Sequence, residues 1–150
     1  MKGQVSTELL VIVGVVLVIF IPLLVMVYTK AGEAQSEMSA YQAQLVAFRL
    51  AYLANSVGSL GSGTVVYTDV YIPRNTVWLR AKNVGAGAEI QLRAATDQGP
   101  KDFVEVVKFP FEGGDSATGK DLITTAGAYG WKRIKMTSVN IGGQATITIE

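Results

Sequence analysis

The stretch that most invites a chemical reading is Gly114-Asp115-Ser116-Ala117-Thr118-Gly119-Lys120, which spells the first seven letters of a phosphate-binding P-loop. In that motif backbone N–H groups cradle phosphates, the lysine reaches the terminal phosphates, and an eighth residue, Ser or Thr, holds magnesium. Here the eighth residue is Asp121, and no helical pattern follows, only Leu122-Ile123-Thr124-Thr125. The stretch therefore reads as a surface loop. Gly85-Ala86-Gly87 lacks the third glycine of a dinucleotide fingerprint and reads as a turn. Asp97 with Asp102, or Asp115 with Asp121, could flank a calcium ion, but neither pair has EF-hand spacing. Trp131-Lys132-Arg133 with Lys135 mixes aromatic and basic groups. A basic strand face in water and an adhesive patch for anionic surfaces both fit it.

The chain contains no histidine and no cysteine. Disulfides, a Cys/His zinc site, thiol catalysis and a Ser-His-Asp triad are thereby excluded. Carboxylate-only chemistry stays open, yet no catalytic constellation stands out, so the expectation is no enzyme, no metal site and no cofactor. A net charge of +1 gives no bulk electrostatic reason to expect nucleic acid as a partner. Asn55, Asn75, Asn83 and Asn140 all lack Ser or Thr at the third position, so N-glycosylation is not encoded, while Ser/Thr-rich loops leave O-glycosylation open.

One carboxylate remains to be placed. Glu8 immediately precedes residues 9–28, which carry no charge at all. Twenty helical residues reach about 30 Å, the thickness of a bilayer core. The run is longer than the apolar part of an ordinary signal peptide, and Thr29-Lys30-Ala31-Gly32-Glu33 follows it without a small-residue cleavage site. The run is therefore expected to stay on the working protein. Lys2 and Lys30 flank it evenly, so the positive-inside rule gives no orientation. Glu8 taken alone fits an interfacial residue near the positive end of the helix dipole. Pro22 and Gly14 are the soft spots of the run. Pro22 fits either an ordinary membrane-helix kink or a bend that lets helices pack around a filament axis.

Lys2-Gly3 followed by Gln4-Val5-Ser6-Thr7-Glu8 and the charge-free run resembles the class III signal peptide of archaeal type IV pilin-like proteins. The match covers about the first 28 residues, and the general plan covers the rest. The resemblance implies a leader of residues 1–3, cut between Gly3 and Gln4 by a prepilin peptidase, and a retained helix over residues 4–57. It implies that Gln4, Ser6 and Glu8 serve assembly and register. The new terminal ammonium of Gln4 would neutralise Glu8 of its own or a neighbouring subunit. A buried carboxylate needs such a partner, and stranding one costs about 3–5 kcal/mol. It further implies a homopolymer, an assembly ATPase and a polytopic membrane platform as partners, with the precursor in the cytoplasmic membrane and the product a filament on the cell surface.

Beyond residue 28 the helical pattern continues. Ala31, Ala34, Met38, Tyr41, Leu45, Phe48 and Tyr52 step by three and four, a heptad-like stripe. Val46, Leu50 and Leu53 widen it, and Glu33, Gln35, Glu37, Gln42, Gln44 and Arg49 hold the opposite face. Met38, Tyr41, Leu45, Phe48 and Tyr52 are the expected packing stripe, lying under a globular head and helping to bury its core. A plain coiled-coil stalk fits this half equally well. Gly58-Ser59-Leu60-Gly61-Ser62-Gly63 is read as the helix stop and linker.

Residues 64–150 carry strand signals. The expected strands cover 64–72, 76–82, 88–93, 103–109, 131–139 and 145–149, with turns at Pro73-Arg74-Asn75, residues 83–87 and Asp97-Gln98-Gly99-Pro100. Residues 112–120 read as a long loop. The fold class is thus α+β: a long hydrophobic N-terminal helix, then an all-β antiparallel, sandwich-like head of about 85 residues. The chain has 150 residues, 49% of them hydrophobic and only 17% charged, with a mean hydropathy of +0.33, and the concentration of that excess in the uncharged run at residues 9–28 excludes both a plain soluble globule and a disordered chain. The leading expectation is a structural subunit of an adhesion pilus. Alternatives are a membrane-anchored extracellular binding module and a minor pilin or archaellum-related subunit; the Gln-x-Ser-x-Glu block favours the pilus group.

Overall fold

The fold was obtained as a computed structural model, which describes residues 2–123 and 129–150, and side chains at 7–122 and 129–150. One helix, α1 (Lys2–Leu60), precedes seven strands: β1 (Val65–Ile72), β2 (Thr76–Val84), β3 (Gly87–Thr96), β4 (Gly99–Val107), β5 (Lys120–Ile123), β6 (Gly130–Ile141) and β7 (Gln144–Ile149). The fold class is α+β, with two antiparallel sheets of order β1-β6-β7 and β4-β3-β2-β5. Two compact units divide the chain, Met1–Ser36 and Glu37–Glu150.

The first unit is helix alone. It is long and apolar enough to cross a membrane, with a mean hydropathy of 3.4 over its most apolar stretch, none of which is buried. The helix runs through Pro22, whose missing N–H leaves one backbone bond to Val18 unmade. Thr29 Oγ1 donates to the Met26 carbonyl at 2.9 Å, and Lys30 pairs with Glu33 at 2.6 Å where the charge-free run ends.

In the second unit the helix and both sheets share one core. Ala43, Ala47, Leu50, Ala54 and Val57 are fully buried, together with Leu79, Ile90, Leu92, Met136 and Ile147 from the sheets. Strand burial alternates as a half-buried antiparallel sheet requires: in β3 Ala88, Ile90, Leu92 and Ala94 point inward and Glu89, Gln91 and Arg93 outward. The β6–β7 hairpin pairs Ile141 with Gln144, so Gly142 and Gly143 form a two-residue loop. Their φ values of 63° and 88° fit the turn whose twist matches the strands, which favours glycine at both places.

Three expectations are corrected. The helix does not stop at residue 57: it continues through Gly58 to Leu60, and Gly61, at φ 95°, ends it. The stripe of Met38, Tyr41, Leu45, Phe48 and Tyr52 does not lie under the head, since all five are exposed. The face that does is largely alanine. Positions 41, 45, 48 and 52 each precede a buried one by two residues, and two residues turn a helix by about 200°. The two apolar faces are therefore opposed. Among the strands, β5 begins at Lys120, the last residue of the stretch read as loop, and runs through residues assigned to no strand, and β4 starts at Gly99, leaving only Asp97 and Gln98 between paired Thr96 and Gly99.

Two asparagines act as missing strand partners. Asn83 Nδ2 donates to the Phe111 carbonyl at 2.9 Å, and Asn83 Oδ1 accepts the Phe111 N–H at 2.8 Å. This holds Phe111, which is 2% exposed, against β7, where it bridges Ile147 in parallel. Asn55 on α1 does the same for the outer edge of β4: it donates to the Val106 carbonyl at 3.4 Å and accepts the Lys108 N–H at 2.8 Å. An open sheet edge is a template for unwanted pairing, and a side-chain amide blunts it.

Candidate functional site

The outward face of α1 is the first part of the site. Met38, Tyr41, Leu45, Phe48 and Tyr52 are 56–66% exposed, an apolar and aromatic row far from the single scattered hydrophobes of an ordinary surface. They stand on a helix whose other side is fixed by the core, so their positions are held without their own burial.

Beside this row lies a shallow groove of about 370 Å³, lined by Gln42, Leu45, Val46 and Arg49 from α1 and by Val70, Tyr71 and Trp131 from the sheet. Tyr71 and Trp131 are cross-strand partners on the outer face of the three-stranded sheet. Their rings meet edge-on, centroids 5.7 Å apart at 66°, and Trp131 remains 72% exposed. Arg49 is the sole charge lining the groove. Its Nη2 donates to Thr68 Oγ1 at 3.2 Å.

The expected basic strand face is largely neutralised by its neighbours. Arg133 holds both oxygens of Asp69, at 2.9 and 3.3 Å, and Lys135 holds Glu150 at 2.8 Å. The bond from Arg133 keeps the Asp69 carboxyl below the usual range, and the bond from Lys135 does so for Glu150. On the other sheet the Trp78 ring is in cation–π contact with two guanidinium groups, Arg80 at 3.9 Å and Arg93 at 5.0 Å from its centroid. Arg93 grips Asp102 through two 2.6 Å bonds, which lower the Asp102 pKa, and Arg80 meets Asp121 at 3.3 Å.

The P-loop-like stretch is closed on itself. Asp115 Oδ1 accepts the Ala117 N–H at 3.1 Å, and Oδ2 accepts the Thr118 hydroxyl at 3.0 Å, so donors of the loop are taken by its own carboxylate. Lys120 opens β5 and sends its Nζ toward the Ile149 carbonyl at 3.3 Å. The pairs suggested for calcium are not brought together as one site: Asp102 is engaged by Arg93, Asp121 by Arg80, and Asp115 by its own loop. Among the described residues no group of three potential ligands forms a metal centre.

Glu8 is exposed on α1, in a small patch with Thr7, Val11 and Ile12. The side chains of Gln4 and Ser6 lie outside the described residues, although the backbone there, Gly3 included, is helical. Sequence reasoning singled out Trp131 but missed its partner Tyr71, and it assigned Gln42 and Arg49 only to a polar helix face. The signal for Tyr71 lay in the period-2 pattern of β1, which sends Tyr67, Asp69 and Tyr71 to one side.

No protein-family model, curated protein or solved structure matches the chain.

Proposed function

We propose that the chain is the structural subunit of a filament of the type IV pilin-like kind, polymerising through its N-terminal helix after removal of residues 1–3. The observation that carries this reading is the division of α1. Its first part is apolar on every side and wholly exposed, and its later part buries an alanine face in the head while leaving an aromatic face outside. An isolated chain in water gains nothing from either exposed surface, whereas a bilayer followed by a bundle of like helices covers both. The β head then faces solvent, with Arg80, Arg93, Arg133 and Lys135 each paired to a carboxylate.

In this reading a prepilin peptidase cuts between Gly3 and Gln4, and an assembly ATPase with a membrane platform lifts the helix out of the bilayer. The cell surface is the site of the product, and adhesion its use. The test is the intact mass and N-terminal sequence of protein sheared from cells. A filament fraction beginning at Gln4 is the expected result. A chain that begins at Met1 and stays with the membrane overturns the reading in favour of an anchored binding module.

A further inference from the structure

Among the described residues, two charges of opposite sign are each the single charge of a small, largely apolar surface. Glu8 is surrounded by Thr7, Val11 and Ile12, and Arg49 by Gln42, Leu45, Val46, Val70, Tyr71 and Trp131. Neither forms an ion pair among the described residues. Asp69 is the carboxylate whose titration feels Arg49, but both its oxygens are held by Arg133. Arg49 spends one bond on Thr68 and keeps a planar fork suited to a carboxylate.

We infer that the groove at Arg49 receives a second copy of this chain, whose Glu8 pairs with the Arg49 guanidinium while Val11 and Ile12 pack against Leu45 and the Tyr71–Trp131 wall. This rests on the filament reading and names the partner of Glu8 within it. The complementarity is twofold: one anion against one cation, and apolar rim against apolar rim. A charge set in an apolar patch is costly to bury unless the opposing surface supplies its counter-charge at the same point. That requirement selects the register of the two copies. A pairing of Glu8 with the terminal ammonium of Gln4 would leave Arg49 without an acid and predicts a different outcome.

The absence of cysteine makes the test clean. Ile12→Cys with Trp131→Cys, in one chain that keeps both charges, is expected to give a ladder of covalent multimers when filaments are oxidised. Either single variant should give no ladder. Glu8→Arg and Arg49→Glu should each lower filament yield by at least about tenfold, and the two together should restore it, with the melting temperature of each variant checked in detergent. Normal wild-type filaments with no ladder, and no recovery in the double swap, overturn the Glu8–Arg49 pairing and leave the filament reading standing. Multimers or recovery that depend on added lipid or on an unrelated peptide assign the groove to another occupant and equally overturn it. Absence of any wild-type filament overturns both.

Discussion

The ring of Phe109 occupies the space where a Cβ at position 58 would stand, so Gly58 is a seat for that ring inside a continuing helix. A helical glycine ordinarily weakens its element by about 0.5–1 kcal/mol relative to alanine. Here the close approach overrides that rule. Gly58→Ala is expected to destabilise the head by about 1–3 kcal/mol despite the better helix former, because the ring must leave a packed site. Thermal unfolding of the full chain in detergent checks this, and Phe109→Ala in the same chain should remove most of the added cost of Gly58→Ala.

The asparagine on the helix is a second point of attachment. Asn55→Ala should cost about 1–2 kcal/mol through two lost bonds. It should also speed hydrogen exchange at the Lys108 amide more than at Phe111, which depends on Asn83. Equal protection at Lys108 before and after the substitution contradicts the role of Asn55.

The two faces of α1 predict a separation of effects. Leu50→Ala, on the fully buried side, should destabilise the head by about 2–5 kcal/mol. Phe48→Gln, on the exposed side, should leave the melting temperature nearly unchanged and reduce filament yield. A large drop in melting temperature for Phe48→Gln would mean that the aromatic row packs on its own head after all.

The Trp78 stack is a stability element of the outer sheet face. Trp78→Ala should lower head stability by about 1–2 kcal/mol, since two cation–π contacts are lost along with ring packing. Trp131→Ala should do far less to stability, and its effect should show in assembly.

Acid should weaken the head in a defined direction. Asp69, Asp102, Asp115 and Glu150 all titrate below their ordinary range when folded, held there by Arg133, Arg93, the Ala117 N–H and Lys135 respectively. A depressed folded pKa means that the unfolded chain takes up protons first. The stabilisation is complete above the unfolded carboxylate values of about 4 and is lost as pH falls through the folded ones. Unfolding midpoints should therefore be flat from neutral pH to about pH 5 and decline below about pH 4. Asp102→Asn should shallow that decline and raised salt should blunt it, because these pairs are exposed.

The parts that sequence made legible are those written in large residues or long runs. The charge-free stretch, the helical stepping to Tyr52, the α+β plan and most strands follow from hydropathy and period alone. The orientation of the helix on the head was misread for a physical reason. Met38, Tyr41, Leu45, Phe48 and Tyr52 carry far more apolar side-chain surface than alanine, yet Ala43, Ala47 and Ala54 are the residues small enough to pack fully buried against the sheets. Gly58 was read as a stop because the spatial neighbour that requires it, Phe109, lies fifty-one residues further on in the chain. The strand β5 is only four residues long and gains its identity from pairing with β2. Arg49 resembled any other solvated charge until β1 and β6 put Val70, Tyr71 and Trp131 around it.

The opposed faces of α1 also bear on how such a chain can change over generations. Residues buried in the head and residues left exposed interleave along the same stretch and face opposite ways. The exposed row can thus change, one substitution at a time, while the buried row keeps the shape of the head. Conversely, the loops of the head can vary without touching the exposed row of the helix.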